Sequence, residues 1–275
     1  MEIFQYDFMV RALTASLIVG LICPLMGMFI VFKKLSLIGD SLSHIALSGI
    51  ASATIVGVNP LIGSLVASSI AAIIIDRLRT YLKEYADLSI AIIMALGVGI
   101  SGILISISNT NFDLFSFMYG SIATVSSEDI KIIIMVAIII ILFVSLLFKE
   151  LLYITFDEEN AKFSKIPVKL INTIFMILVA ASITITLRIV GVLLVSSLIS
   201  IPVATSLKVA KSFKQSIFYS VLFGEIAIIS GVLISFYLDI APGGTIVIIS
   251  VLELLGVTVF SKLINSKHKK IVLNK

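Results

Sequence analysis

The ionisable side chains that stand inside long apolar runs of this chain are Asp40, His44, Glu225 and Glu253. At the centre of a membrane span such a group costs roughly 2.5–3.5 kcal/mol, so each calls for a partner, a proton or a bound cation. Asp40 and His44 lie in Ser36-Leu-Ile-Gly-Asp-Ser-Leu-Ser-His44. Four residues are about one helical turn, which stacks the two side chains on one face. Carboxylate oxygen and imidazole nitrogen form a donor pair suited to a borderline divalent cation such as zinc or manganese. The same spacing fits Asp40, just after Gly39, capping a helix while His44 hydrogen-bonds within a bundle. Spacing alone weighs the two readings equally.

Glu225 is the lone charge between Ile217 and Leu238. It either converges on Asp40 and His44 as a third metal ligand or is a protonated acid bonded to a neighbouring helix. Glu253 is expected to bond a nearby hydroxyl, that of Ser250 or Thr258. Arg188, at the edge of an apolar run, is expected to snorkel to the interface. Cys23 is the only cysteine, has no CxxC spacing and reads as packing. His268 belongs to a basic, solvated tail.

The elements that hold these residues follow from composition. Hydrophobic residues make up 59% of the 275 positions, charged residues 13%, and mean hydropathy is +1.21. A soluble domain carries about 25% charged residues, so lipid is the solvent this chain needs. The expected fold is all-α: a polytopic transmembrane helical bundle of eight to nine spans, one transmembrane domain over 1–275, with no soluble domain. Runs long enough to cross the bilayer fall near 9–32, 88–108, 130–148, 170–187, 189–207, 216–238 and 244–262. The stretch 42–75, broken by Gly57, Asn59 and Pro60, reads as two short helices. The segment 112–124 is too short to span and reads as a partial helix.

The net charge of +4 comes from clusters between apolar runs, which excludes nucleic acid as a partner. With the 149–169 loop placed in the cytoplasm, only Arg11, Lys131 and Arg188 of the 20 basic residues fall outside. That asymmetry orients the chain. Nine crossings put the N-terminus outside and the C-terminus in the cytoplasm; eight leave the C-terminus in place and move the N-terminus inside. The outer loops carry Glu2, Asp7, Asp113, Glu128, Asp129 and Asp239, a mild field that favours an arriving cation. No cleavable signal is expected, because Met1–Asp7 has no basic residue.

No phosphate-binding Gly-x-x-x-x-Gly-Lys-Ser/Thr loop occurs, so this chain is not expected to bind ATP by that route; any nucleotide motor is expected to be another polypeptide, and this chain is expected not to be an enzyme. The 149–169 loop mixes acids and bases with Phe156, Phe163 and Ile166, and suits a short helix docking into a partner. Pro24 and Pro202 should kink their spans, and Pro242-Gly243-Gly244 reads as a tight outer turn. Gly97, Gly99 and Gly102 read as a close-packing face.

Ordered motifs then resemble a known family along nearly the whole chain. Leu35-Ser-Leu-Ile-Gly-Asp-Ser-Leu-Ser-His44 with Gly49, Asp87 with Leu-Ser-Ile-Ala, Phe156-Asp-Glu-Glu-Asn-Ala161, Val190-Gly191 leading to Ile201-Pro202, and Ser235-Phe-Tyr-Leu-Asp239 with Gly243-Gly244 carry the likeness. The chain resembles the permease subunits of bacterial zinc and manganese ABC importers. The resemblance implies a homodimeric, multi-pass protein of the bacterial cell membrane. Its implied partners are a cytoplasmic ABC ATPase subunit and an extracytoplasmic metal-binding protein. It implies no resident cofactor, a transported divalent metal bound transiently by Asp40, His44 and Glu225, and an ATPase-coupling role for Phe156, Asp157, Glu158, Glu159 and Ala161. Some members place a histidine one turn after the glutamate; Ile229 stands there in this chain, and zinc is favoured, with manganese next. Gly120-Ser121 also departs from the Gly-Asp of many relatives. The rivals are an ion-coupled secondary transporter using Glu225 and Glu253, a permease for a larger chelate, and an intramembrane metalloprotease, whose His-Glu-x-x-His is absent.

Overall fold

The computed structural model describes residues 5–82, 85–108 and 114–273. Among them no strand occurs. Twelve helices follow in order: α1 (Asp7–Phe32), α2 (Ile38–Val56), α3 (Pro60–Leu82), α4 (Ala86–Ile107), α5 (Leu114–Tyr119), α6 (Ser127–Leu146), α7 (Phe148–Phe156), α8 (Glu158–Phe163), α9 (Val168–Val190), α10 (Val195–Ser206), α11 (Phe213–Leu238) and α12 (Pro242–Leu273). Seven of them, α1, α3, α4, α6, α9, α11 and α12, are long and apolar enough to cross a membrane. Helices suit that solvent because they satisfy their backbone groups internally.

The 42–75 stretch is two helices, as its punctuation implies, but both are longer than expected. Gly57 closes α2 in the left-handed conformation at φ 78°, and Pro60 opens α3, where its missing N–H costs nothing. Asn59 Oδ1 accepts from Leu61 N at 2.9 Å and holds the turn. α2 is 19 residues long yet too polar to pass as a span by composition.

The apolar run 189–207 is not one continuous helix. α9 continues to Val190, Gly191 turns at φ 86°, and α10 is only 12 residues, about 18 Å long. The opened backbone is satisfied by neighbours: Val192 N donates to Phe117 O at 3.0 Å and Leu193 N to Met118 O at 3.3 Å. Gly120 (φ 80°), Gly191 and Gly243 meet there, and a Cβ on any of them would strike carbonyls of the facing segments. Pro242-Gly243 is accordingly the packed first turn of α12 rather than a free outer turn. The partial helix expected at 112–124 is α5, with 112–113 outside the described residues. Of the expected outer acids, Glu2 and Asp113 also lie outside them.

α1 is the central post, packed on α6, α9, α10 and α11, while α2 is enclosed by α3, α4, α9 and α10. Pro24 of α1 abuts Gly224 of α11, so the proline lies in a helix crossing. Only Gly97 of the three small residues in α4 serves close packing; Gly99 and Gly102 have nothing within 4 Å. The two ends of the bundle differ in charge. One carries Arg11, Arg188 and Asp129; the other carries Lys33, Lys149, Lys214 and the α7–α8 segment.

Candidate functional site

α2 is buried at every position from Ile38 to Ala51 except Asp40 and His44, which are half-buried. The packing that closes the rest of this helix is backbone-tight. Gly49 abuts Gly63 and Ser64 of α3, Gly97 of α4 sits on His44 and Ile45, and Gly39 faces Ser196 of α10. Asp40 and His44 therefore share the one open strip of an enclosed helix.

Among the described residues, neither side chain is occupied by a hydrogen-bonding protein group. Leu37, not Asp40, is the N-cap, and it makes no side-chain cap bond. Ser43 Oγ donates to the backbone carbonyl of Asp40 at 2.9 Å and leaves the carboxylate itself open. The Asp40 carboxylate lies near enough for its charge to be felt at the His44 imidazole. Its place in the first turn of α2 also sets it against the positive end of the helix dipole.

Glu225 lies elsewhere. It sits on α11 beside Gly20 of α1, where an added Cβ would come within 2.9 Å of its Cδ and Oε2. Its Oε2 is buried with no hydrogen-bond partner among the described residues. The half-helix α10 packs on both α2 and α11. Among the described residues no three His, Cys, Asp or Glu side chains gather closely enough to hold a metal ion. The structure thus brings Asp40 and His44 together and leaves Glu225 apart from them within one chain. Glu253 lacks its expected hydroxyl partner: Ser250 Oγ donates to Ile246 O at 3.0 Å, and Glu253 Oε1 is buried without a partner among the described residues.

Arg188 does not snorkel. Its guanidinium approaches the Asp129 carboxylate at 3.7 Å, with the two side chains 10% and 3% exposed. It also stands 6.0 Å from the Phe117 ring centroid. Asp129 completes a capping box with Ser126 at the start of α6. Nothing in the local sequence joins residues 129 and 188, so only the fold reveals this pair.

At the other end, Asp157 is the N-cap of α8, accepting from Asn160 N at 3.0 Å. That bond and a second from the Asn160 side-chain amide hold its carboxyl below the usual carboxylate range. Glu158 pairs with Lys162 at 2.9 Å, Glu159 is exposed, and Ala161 is fully buried against the bundle. Lys33, which closes α1, donates to Asn172 Oδ1 at 2.6 Å and lies 4.7 Å over the Phe175 ring. Burial pushes its ammonium down to about 8, with Glu158 pulling the other way. Sequence reading took Lys33 only as a loop charge.

A bundle that is all-helical among the described residues, with seven apolar helices of membrane length, is that of a multi-pass membrane protein. Residues 5–261 match the ABC 3 transport family, and the chain belongs to that family. It is 34% identical over 251 residues to a probable metal transport system membrane protein of Treponema pallidum, covering 91% of this chain and 94% of the relative. It is 32% identical over 248 residues to the manganese import system permease protein ScaB of Streptococcus gordonii, covering 90% and 89%. Among solved structures it resembles a chain of PsaBC from Streptococcus pneumoniae in complex with Fab. That match has TM-score 0.83 and 32% identity over 93% of this chain and 92% of the other. The protein is thus a permease-type transport subunit.

Proposed function

We propose that this chain is the membrane permease of an ATP-driven importer for a divalent metal ion, and that the ion pauses at Asp40 and His44. One observation carries the reading. On a helix enclosed along Ile38–Ala51, the only open side chains are a carboxylate and an imidazole one turn apart, free of hydrogen-bonding partners among the described residues. A two-donor site suits transport, because an ion that must leave again cannot be held by a full coordination shell. Glu225, with its orphaned oxygen, is the third donor we assign to the path. Relatives named for manganese favour that metal over zinc, and carboxylate with imidazole donors accommodate it. The ion-coupled alternative has no observation in its favour.

The lysine-rich end is assigned to the cytoplasm by the positive-inside rule. Nine crossings result when α2 counts as an enclosed span and α10 with Gly191–Leu194 as a broken one. Half-open ionisable groups on a helix of the bundle need cover other than lipid, and a second copy of this chain supplies it. The α7–α8 segment is the docking point for a separate ATPase: Phe163 is 84% and Phe156 60% exposed there, beside Asp157, Glu158 and Glu159. Ala161 anchors the segment to the bundle from its other side. An external metal-binding protein delivers the ion at the opposite end, where Asp7, Glu128 and Asp239 lie.

The test is metal accumulation by cells carrying His44→Ala in metal-poor medium, with membrane insertion followed in parallel. Uptake should be abolished while the protein still inserts and dimerises. Unchanged accumulation would remove His44 from the path.

A further inference from the structure

Six phenylalanines from four helices meet at the lysine-rich end. Phe213, the first residue of α11, is their hub. Its ring centroid lies 5.5 Å from Phe29, 5.4 Å from Phe32, 5.8 Å from Phe156 and 6.2 Å from Phe148. Phe32 and Phe156 touch each other at 5.3 Å, and Phe29 meets Phe175 of α9 at 6.2 Å. These are separations at which ring edges and faces interlock.

The positions of three of these residues in the chain matter as much as their contacts. Phe156 ends α7 and directly precedes Asp157, the N-cap of α8. Phe213 begins α11, the helix that carries Glu225 about three turns further on. Phe32 ends α1 and leads through the short turn 33–37 into α2, where Asp40 stands in the first turn. Two ring contacts of Phe156 therefore join the docking segment to α11, which bears Glu225, and to the end of α1, from which the turn 33–37 leads into the helix of Asp40 and His44. A polar seam runs beside it: Glu158 of α8 attracts both Lys33 and Arg79, Lys33 is tied to Asn172, and Thr173 Oγ1 donates to Asp76 Oδ2 at 3.0 Å.

Phe156 is only partly seated, resting on Phe32 and Phe213 with the remainder of its side chain exposed. A segment held this way cannot shift without dragging or releasing the ends of α1 and α11. Packed rings have discrete arrangements rather than a soft continuum, so the displacement reaches the helices as a step.

We propose that Phe156 and Phe213 are positioning residues that transmit movement of the α7–α8 segment to the helices bearing Asp40, His44 and Glu225. This rests on the importer reading above, in which an ATPase docks on that segment.

The experiment is reconstitution of the full complex, permease with its ATPase subunit and metal-binding protein, in liposomes, reading manganese taken up per ATP hydrolysed. Phe156→Ala and Phe213→Ala should assemble and hydrolyse ATP while uptake per ATP falls, by about tenfold for Phe156→Ala, which loses two ring pairs, and by at least as much for Phe213→Ala, which loses four. Phe213→Tyr, which keeps the ring, should restore the ratio. Because a purely structural defect lowers hydrolysis and uptake together, the ratio separates transmission from stability. If Phe213→Ala fails to assemble, Phe156→Ala and Phe213→Leu carry the same comparison. An unchanged ratio in assembled variants overturns the proposal and leaves the importer reading standing. A wild-type permease that recovers no ATPase fails the importer reading and takes the proposal with it.

Discussion

Gly97→Ala is the sharpest probe of whether α2 must be held in place for transport. An ideal Cβ on Gly97 would lie 2.8 Å from Ile45 N and 3.0 Å from the His44 carbonyl carbon. Comfortable contact begins at about 3.5 Å, so the two helices must part by roughly 0.7 Å. The obstructing atoms are backbone, and no side-chain rotation can absorb the methyl. Overpacking of this kind costs about 1–3 kcal/mol. The displaced segment carries His44, and a misplacement near 1 Å in a working site lowers rates by up to about a hundredfold. Gly99→Ala and Gly102→Ala supply the control from the same helix, since an added Cβ at either meets nothing within 4 Å. Those two should be neutral or slightly stabilising, alanine being the better helix former by up to about 1 kcal/mol. The assay pairs metal uptake by cells with thermal unfolding of the purified protein in detergent. A Gly97→Ala protein that melts and transports like wild type would refute the reasoning. So would equal loss from all three substitutions, because the open positions would then be packed as tightly as the closed one.

Two further outcomes follow from the ends of the bundle. Arg188→Ala should destabilise the protein by about 3–5 kcal/mol, because it strands the buried Asp129 carboxylate. The double variant Arg188→Met with Asp129→Leu should lose less than Arg188→Ala alone, as read by unfolding in detergent. Lys33 makes stability rise with pH. Its ammonium is pushed down to about 8 from the ordinary 10.5, so between those values the unfolded chain holds the proton that the native chain has shed. The linkage slope is positive across that window and flat below it. Lys33→Met should remove that rise from melting curves taken between pH 8 and 10.5.

The all-helical architecture was legible because apolar runs of membrane length leave the backbone no other solution, and the Gly57-Asn59-Pro60 punctuation marked the α2–α3 turn. The α9–α10 break was not. Ile189–Leu207 is apolar nearly throughout, and nothing local says that Gly191 adopts φ 86° or that Phe117 and Met118 lend their carbonyls to the residues after it. Sequence could name Asp40 and His44 as neighbours, since one turn of helix guarantees that. It could not decide between cap and ligand, because that depends on whether Leu37 or Asp40 begins the helix and on what covers the carboxylate. Glu253 shows the limit from the other side. Ser250 lies within reach along the helix, yet its hydroxyl goes to Ile246 O.

The low hydropathy of α2 is best explained by where it sits. A helix facing lipid must be apolar on that face, whereas α2 is walled in by α3, α4, α9 and α10. Enclosure removes the lipid-facing requirement and lets the helix carry Ser41, Ser43, Ser48 and Gly49 as small packing residues. Small residues draw the neighbouring backbones close, as Gly63 and Gly97 do. That close packing buries the helix along Ile38–Ala51 except at Asp40 and His44. The polarity that disqualifies α2 as an ordinary span thus includes the carboxylate and the imidazole of its open strip, the pair to which the proposed function assigns the ion.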